Sequence, residues 1–204
     1  MFKLLTKILA KRLLAAVDKE DIVGPEQNGF RASKSCSNNI FILNTILEIN
    51  KSKKLLSHLL FVDLKEAYDP VDRGILLQKL RQLNIPKTFI NFLDSYYFFE
   101  NISTEATGIG TTPKYQKRGL RQGCNLSSVL FILYLSELSR RMWATGLGAR
   151  LRDGSAVNIL LLADDIIILG RTTDELEQLR GILEGWCEYF WMSLFCQDKR
   201  NFAK

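Results

Sequence analysis

Two adjacent aspartates, Asp164 and Asp165, interrupt an otherwise apolar run, with Leu160 to Leu162 before them and Ile166 to Leu169 after. Apolar flanks this continuous belong to strands buried on both faces. Burying one unpaired carboxylate is costly, and two neighbours also repel each other. Such a chain has two solutions: the pair sits at an exposed hairpin tip, or it faces a cation. Asp63 adds weight to the second, because it too ends an apolar strand (LLFV, then Asp63). Three carboxylates converging on one sheet edge are what a pair of Mg²⁺ ions requires, since Mg²⁺ takes oxygen ligands, a few carboxylates plus substrate phosphates. Two such ions, about 4 Å apart, activate an attacking hydroxyl and stabilise the leaving oxygen in phosphoryl transfer. Spacing alone leaves both solutions open.

The 204 residues suffice for one large domain or two small lobes, and 47% hydrophobic with 25% charged residues reads as globular. A net charge of +6 permits a nucleic-acid partner without demanding one. Cys36, Cys124, Cys187 and Cys196 show no CxxC spacing and His58 is the sole histidine, so neither zinc nor a disulfide framework is expected. Reduced thiols point to an intracellular protein, in nucleus or cytoplasm. No apolar run has transmembrane length. The basic, amphipathic start, MFKLLTKILAKRLLAAV, resembles a mitochondrial presequence. It lacks the serine and arginine enrichment of one, and is read as a basic surface helix.

Downstream, 23–37 is rich in Gly, Asn and Ser and reads as loop, and 39–49 as helix. The strand LLFVDL (59–64) leads to Asp69-Pro70-Val71-Asp72, a helix start with Asp69 as N-cap, Pro70 at N1 and Asp72 at N3. That helix runs to about Leu83, and Ile85-Pro86 opens another through Tyr97. Residues 102–118 suggest a hairpin, and Ser127 or Ser128 caps a helix to about Trp143. Val157 to Leu169 forms two strands around a tight turn. Thr172 to Glu175 is a capping box for a final helix with Leu176, Leu179, Ile182, Leu183, Trp186 and Phe190 as its apolar stripe. The pattern is α/β (α+β), with mixed strands and helices packed on one face.

Five segments, in order, resemble the reverse transcriptase family in its non-LTR (LINE-type) retrotransposon branch: EQNGFRASKS (26–35), FVDLKEAYDPVDR (61–73), RGLRQGCNLSSVLF (118–131), LLADDIIIL (161–169) and QDKRN (197–201). The resemblance implies a right-hand polymerase, with 1–58 fingers-like and 59–204 palm carrying a fingers insertion around 71–118. It implies an RNA-directed DNA polymerase using two Mg²⁺ ions, which Mn²⁺ can replace, with an RNA template, a DNA primer and deoxynucleoside triphosphates as partners.

The implied metal ligands are Asp63, Asp164 and Asp165. Tyr68 would pack under the sugar and exclude a 2′-hydroxyl, and Gln122 would sit near the incoming nucleotide. Arg31 would neutralise the triphosphate, and Lys199 would stand near the leaving pyrophosphate as a proton donor. Gly119 and Gly123 would let the backbone approach the template–primer, with Arg118 and Arg121, beside Lys114 and Lys117, on its phosphates. Asp69 and Asp72 are assigned to capping.

The sequence departs from the family pattern at Leu162, where an aromatic is usual, at Asn125 and Ser128, where proline is usual, and at Pro70, where a small residue is usual. The chain ends soon after QDKRN, so a thumb is expected to be missing, as is an endonuclease domain. The alternative is a catalytically silent retroelement fragment that at most binds RNA.

Overall fold

The computed structural model describes residues 2–98 and 117–200, with Phe2, Phe98 and 195–200 as backbone only. The helices are α1 (Phe2–Lys19), α2 (Cys36–Ser52), α3 (Arg73–Gln82), α4 (Lys87–Phe98), α5 (Asn125–Ala144) and α6 (Thr173–Phe190). The strands are β1 (His58–Lys65), β2 (Ala149–Arg150), β3 (Ala156–Val157), β4 (Ile159–Leu162), β5 (Asp165–Gly170) and β6 (Ser193–Arg200). The α/β class expected from the sequence is therefore found. The hairpin expected at 102–118 lies almost wholly outside the described residues.

Four strands form an antiparallel sheet in the order β4-β5-β1-β6, and β2 pairs with β3 as a separate ribbon. Alternation along β1 sends Leu60, Val62 and Leu64 into the main core, with Ile166 and Ile168 of β5 and the buried faces of α1, α3, α4, α5 and α6. Leu59 and Leu169 turn to the opposite face, where Ile46 of α2 covers them. Most helices thus lie on one face, as expected, and α2 caps part of the other. The main core is continuous across residue 58, since Ala10, Leu13 and Val17 of α1 join it.

At the centre, α5 is apolar on every side, and Leu130 through Leu135 are each fully buried. A helix hydrophobic all round can only be an interior one. Trp186 and Phe190 of α6 pack edge-on against Tyr134 of α5.

Two helix starts and one capping box differ from expectation. The N-cap of α3 is Asp72, whose Oδ1 accepts from the Ile75 amide at 3.0 Å, and not Asp69. The Asp69 amide donates to Glu66 O in a turn of its own at 2.8 Å, and Pro70 disfavours helical geometry at residue 69. Helix α5 starts at Asn125, ahead of Ser127 and Ser128, with Cys124 at the cap. Gly123, at φ +76°, reverses the chain early, and the Ser127 hydroxyl donates to Arg121 O at 2.7 Å instead of capping. Only half of the capping box at α6 forms: Thr172 Oγ1 accepts from the Glu175 amide at 3.2 Å. The Glu175 carboxylate goes to the Arg171 guanidinium and the Arg171 and Gly148 amides.

The loop before α2 covers the open edge of β4. Gln27 forms a parallel bridge to Leu161, in which the Leu161 amide donates to Glu26 O and the Asn28 amide to Leu161 O, both at 2.9 Å. No described helix is long and apolar enough to cross a membrane.

Candidate active site

The antiparallel register of β1 on β5 sets Asp63 directly opposite Asp165. Residues paired in this way hold their Cβ atoms roughly 4.5–5.5 Å apart. Asp63 follows Phe61 by two residues, so it continues the α2 face beyond the last apolar position, and it is exposed. Asp164 is half-buried in the two-residue turn joining β4 to β5. Asp63 and Asp165, distant in the chain, are therefore opposite each other, with Asp164 in the adjoining turn.

Their charges reach one another. Asp165 titrates above the usual carboxylate range, first because of burial, then because of the Asp164 and Asp63 carboxylates. Asp63 and Asp165 stand at one end of a cleft of about 430 Å³ between α2 and the sheet, whose other walls include Leu43, Phe61 and Ile167. On the other side, Asp63 and Asp164 line a second cavity with Lys65, Glu66, Asp69 and Ser193. Asp69, assigned to capping from the sequence, therefore faces the acids, and Glu66 was not singled out at all. The Asp-Pro dipeptide hid the first, since it reads equally well as a helix start.

Hard carboxylate oxygens, two in cross-strand register and one adjacent, are the donor type a divalent cation takes. Among the described residues, however, no three His, Cys, Asp or Glu side chains are grouped closely enough to hold a metal ion. The donor set and register fit such an ion, and the closed ligand group is not formed.

Tyr68 lies in the turn after β1 and is half-buried, stacked on Phe131 of α5 at 4.9 Å. Burial raises its hydroxyl pKa, a bond to the Ser128 hydroxyl lowers it, and Asp164 raises it again. Its carbonyl accepts from Leu120 N at 2.9 Å, and Val71 O accepts from Gly119 N at 2.9 Å. The glycine-rich segment is thereby tied to the turn beside the acids. Gly119 is buried at φ +97°, and its carbonyl accepts from Arg73 Nε at 2.8 Å. Gly123 is exposed, with open space where a Cβ would stand.

Gln122 lines a cavity with Lys3, Tyr96, Arg121 and Gly123, separate from the two that hold the acids. Arg121 donates to Tyr96 Oη at 2.9 Å and lies over the same ring. Arg118 lies over the Trp191 ring, 4.7 Å from its centroid.

The other two predicted residues have neighbours of their own. Arg31 is held by Asp18 at 2.9 Å and donates to Gly24 O at 2.6 Å, with its side chain only 9% exposed. Lys199 pairs with Leu59, while Asp63 pairs with Phe195. Four residues of strand, about 13 Å, separate Lys199 from Asp63 along the sheet.

A family model described as reverse transcriptase (RNA-dependent DNA polymerase) matches residues 1–202. The chain belongs to the reverse transcriptase family. Its sequence relatives place this reverse transcriptase domain in the non-LTR retrotransposon branch. It is 27% identical over 176 residues to a retrovirus-related Pol polyprotein of the type-2 retrotransposable element R2DM from Drosophila melanogaster, covering 86% of this chain and 16% of that protein. It is 25% identical over 191 residues to the RNA-directed DNA polymerase from mobile element jockey of Drosophila funebris, covering 90% of this chain and 20% of that one. The chain thus spans about a fifth or less of these relatives. Among solved structures, telomerase from Candida albicans in complex with a telomeric RNA fragment matches with a TM-score of 0.64 at 16% identity, over 97% of this chain and 34% of that one. Apo telomerase from Candida tropicalis, truncated from its C-terminal domain, matches with a TM-score of 0.59 at 16% identity, over 100% of this chain and 42% of that one. The telomerase likeness is one of fold.

Proposed function

We propose that this domain performs RNA-templated DNA synthesis. A primer 3′-hydroxyl attacks the α-phosphorus of a deoxynucleoside triphosphate, a new O–P bond forms, and the bond to pyrophosphate breaks as the hydroxyl proton departs. The observation that carries the reading is the cross-strand pairing of Asp63 with Asp165 beside Asp164. Asp63, Asp164 and Asp165 are the residues that would hold two Mg²⁺ or Mn²⁺ ions. Such ions, when bound, supply charge neutralisation at the attacking and leaving oxygens.

The remaining roles belong to the chain itself. Tyr68, braced by Phe131 and Ser128 within electrostatic reach of Asp164, rejects a 2′-hydroxyl by bulk. Gly123, open to solvent at positive φ, lets a template–primer strand approach, with Arg118 and Arg121 beside it for phosphates. Gly119 keeps the segment in place, and Gln122 contacts the nucleotide from the neighbouring cavity. The triphosphate role for Arg31 and the pyrophosphate role for Lys199 rest on the family resemblance alone. We take 1–58 as fingers-like and 59–204 as palm.

Primer extension on an RNA template with Mg²⁺ or Mn²⁺ tests the reading, and Asp164→Ala is the control. Loss of incorporation by at least about a hundredfold is the expected outcome. Incorporation unchanged in Asp164→Ala defeats the assignment. A silent RNA-binding fragment is the second reading, motivated by Leu162 where the family has an aromatic. Salt-sensitive RNA binding without incorporation would select it.

A further inference from the structure

The turn that carries Asp164 is held from outside the sheet by one side chain. Gln27 Oε1 accepts from the Ala163 amide at 3.0 Å and from the Gly29 amide at 2.7 Å, while Gln27 Nε2 donates to Ala163 O at 3.5 Å. Both polar groups of the residue preceding Asp164 are therefore taken by one carboxamide, itself only 1% exposed. Ala163 sits at φ +59°, a conformation that is strained for a residue with a Cβ. Such geometry persists only where the surroundings impose it.

The surroundings here are the loop 26–29. A Cβ at Gly29 would collide with the Ala163 amide nitrogen, so glycine is what lets the loop come this close. Asn39 Nδ2 of α2 donates to Leu161 O at 2.9 Å, and Asn28 Nδ2 donates to Asn39 Oδ1 at 2.5 Å. Asn39 thus braces β4 without touching the turn. The segment 26–35, which the family resemblance marks for a basic residue, buries Glu26, Gln27 and Asn28 against β4 and the turn.

We propose that Gln27 is a positioning residue: its carboxamide fixes the strained Ala163 peptide, and with it the placement of Asp164 relative to Asp63. The proposal rests on the polymerase reading for its consequence, and on the hydrogen bonds alone for its mechanism. The two therefore separate experimentally.

The test uses the full chain with Gln27→Ala, Gln27→Glu and Asn39→Ala. Amide exchange across the β4–β5 turn and Mn²⁺ affinity by electron paramagnetic resonance are both measured. Gln27→Ala should accelerate exchange at the Ala163 amide and weaken Mn²⁺ binding, each by about tenfold, the worth of one buried hydrogen bond. Gln27→Glu keeps the acceptor and should restore the exchange protection. Asn39→Ala should lower the melting temperature while leaving Mn²⁺ affinity within about twofold, since the Ala163 grip survives. Unchanged Ala163 exchange in folded Gln27→Ala overturns the proposal, as does equal loss of Mn²⁺ affinity in Asn39→Ala. If Gln27→Ala fails to fold, Gln27→Glu decides: unprotected Ala163 exchange in that variant overturns the proposal. If the unsubstituted chain binds no Mn²⁺ in an Asp164-dependent way, the metal reading fails and the exchange measurement still decides the positioning role.

Discussion

Asp165 faces Asp63 across the strand pair with Asp164 at its side, and its pKa is raised first by burial and then by these two carboxylates. An acid with a raised folded pKa takes up its proton in the folded chain at a pH where the unfolded chain has lost it. Stability therefore rises as pH falls through that folded pKa, and above it the ionised cluster opposes folding. A divalent cation would relieve the same repulsion without a proton. In metal-free buffer at neutral pH, Asp165→Asn should raise the melting temperature by about 1–2 °C, a small effect because the group is exposed. The same substitution should reduce the upward shift that Mn²⁺ gives the unsubstituted chain. A lower melting temperature without metal would show that Asp165 stabilises the fold, contrary to this account. At this scale the acids were legible in the sequence because charged residues in apolar runs have few physical outlets. Gln27 was not, since a glutamine in a polar loop looks the same whether it grips a turn or faces water.

At the scale of elements, strand and helix identities followed from periodicity, while helix starts depended on neighbours far along the chain. Asp69 and Asp72 are equivalent as capping candidates in the sequence. The Asp72–Arg118 bridge and the Gly119–Val71 hydrogen bond decide between them by holding 71–72 out of the helix. Asp72→Ala should therefore cost about 1 kcal/mol, or roughly 2–4 °C in thermal melting, whereas Asp69→Ala should cost nothing and relieve some acidic repulsion. The reverse order of melting temperatures would return the cap to Asp69. The cap of α5 was misread for a related reason, because Gly123 turns the chain before either serine is reached.

At the scale of the whole molecule, a buried lysine that the sequence did not mark makes stability depend on pH. Lys79 of α3 is buried, with Nζ donating to Tyr134 O of α5 at 3.0 Å. Burial lowers its pKa from 10.5 to about 7, opposed by Glu137 and reinforced by Arg140 and Arg141. The unfolded chain keeps this proton up to the higher value and the folded chain releases it near the lower one. Stability should therefore climb between about pH 7 and 10.5, and be lowest below that window. Lys79→Met should flatten the climb and melt at least about 3 °C higher at pH 7. An unaltered climb in melting temperature with pH would assign it to other groups. The order of strands was the least legible property, because β1 lies between two partners that both come after it in the chain. That arrangement has a consequence for biosynthesis. From the moment LLFV leaves the ribosome until β5 follows, more than a hundred residues later, both edges of this sticky segment lack their final neighbours. At ordinary elongation rates the wait is on the order of ten seconds, long enough for a chaperone or another nascent copy to reach it first.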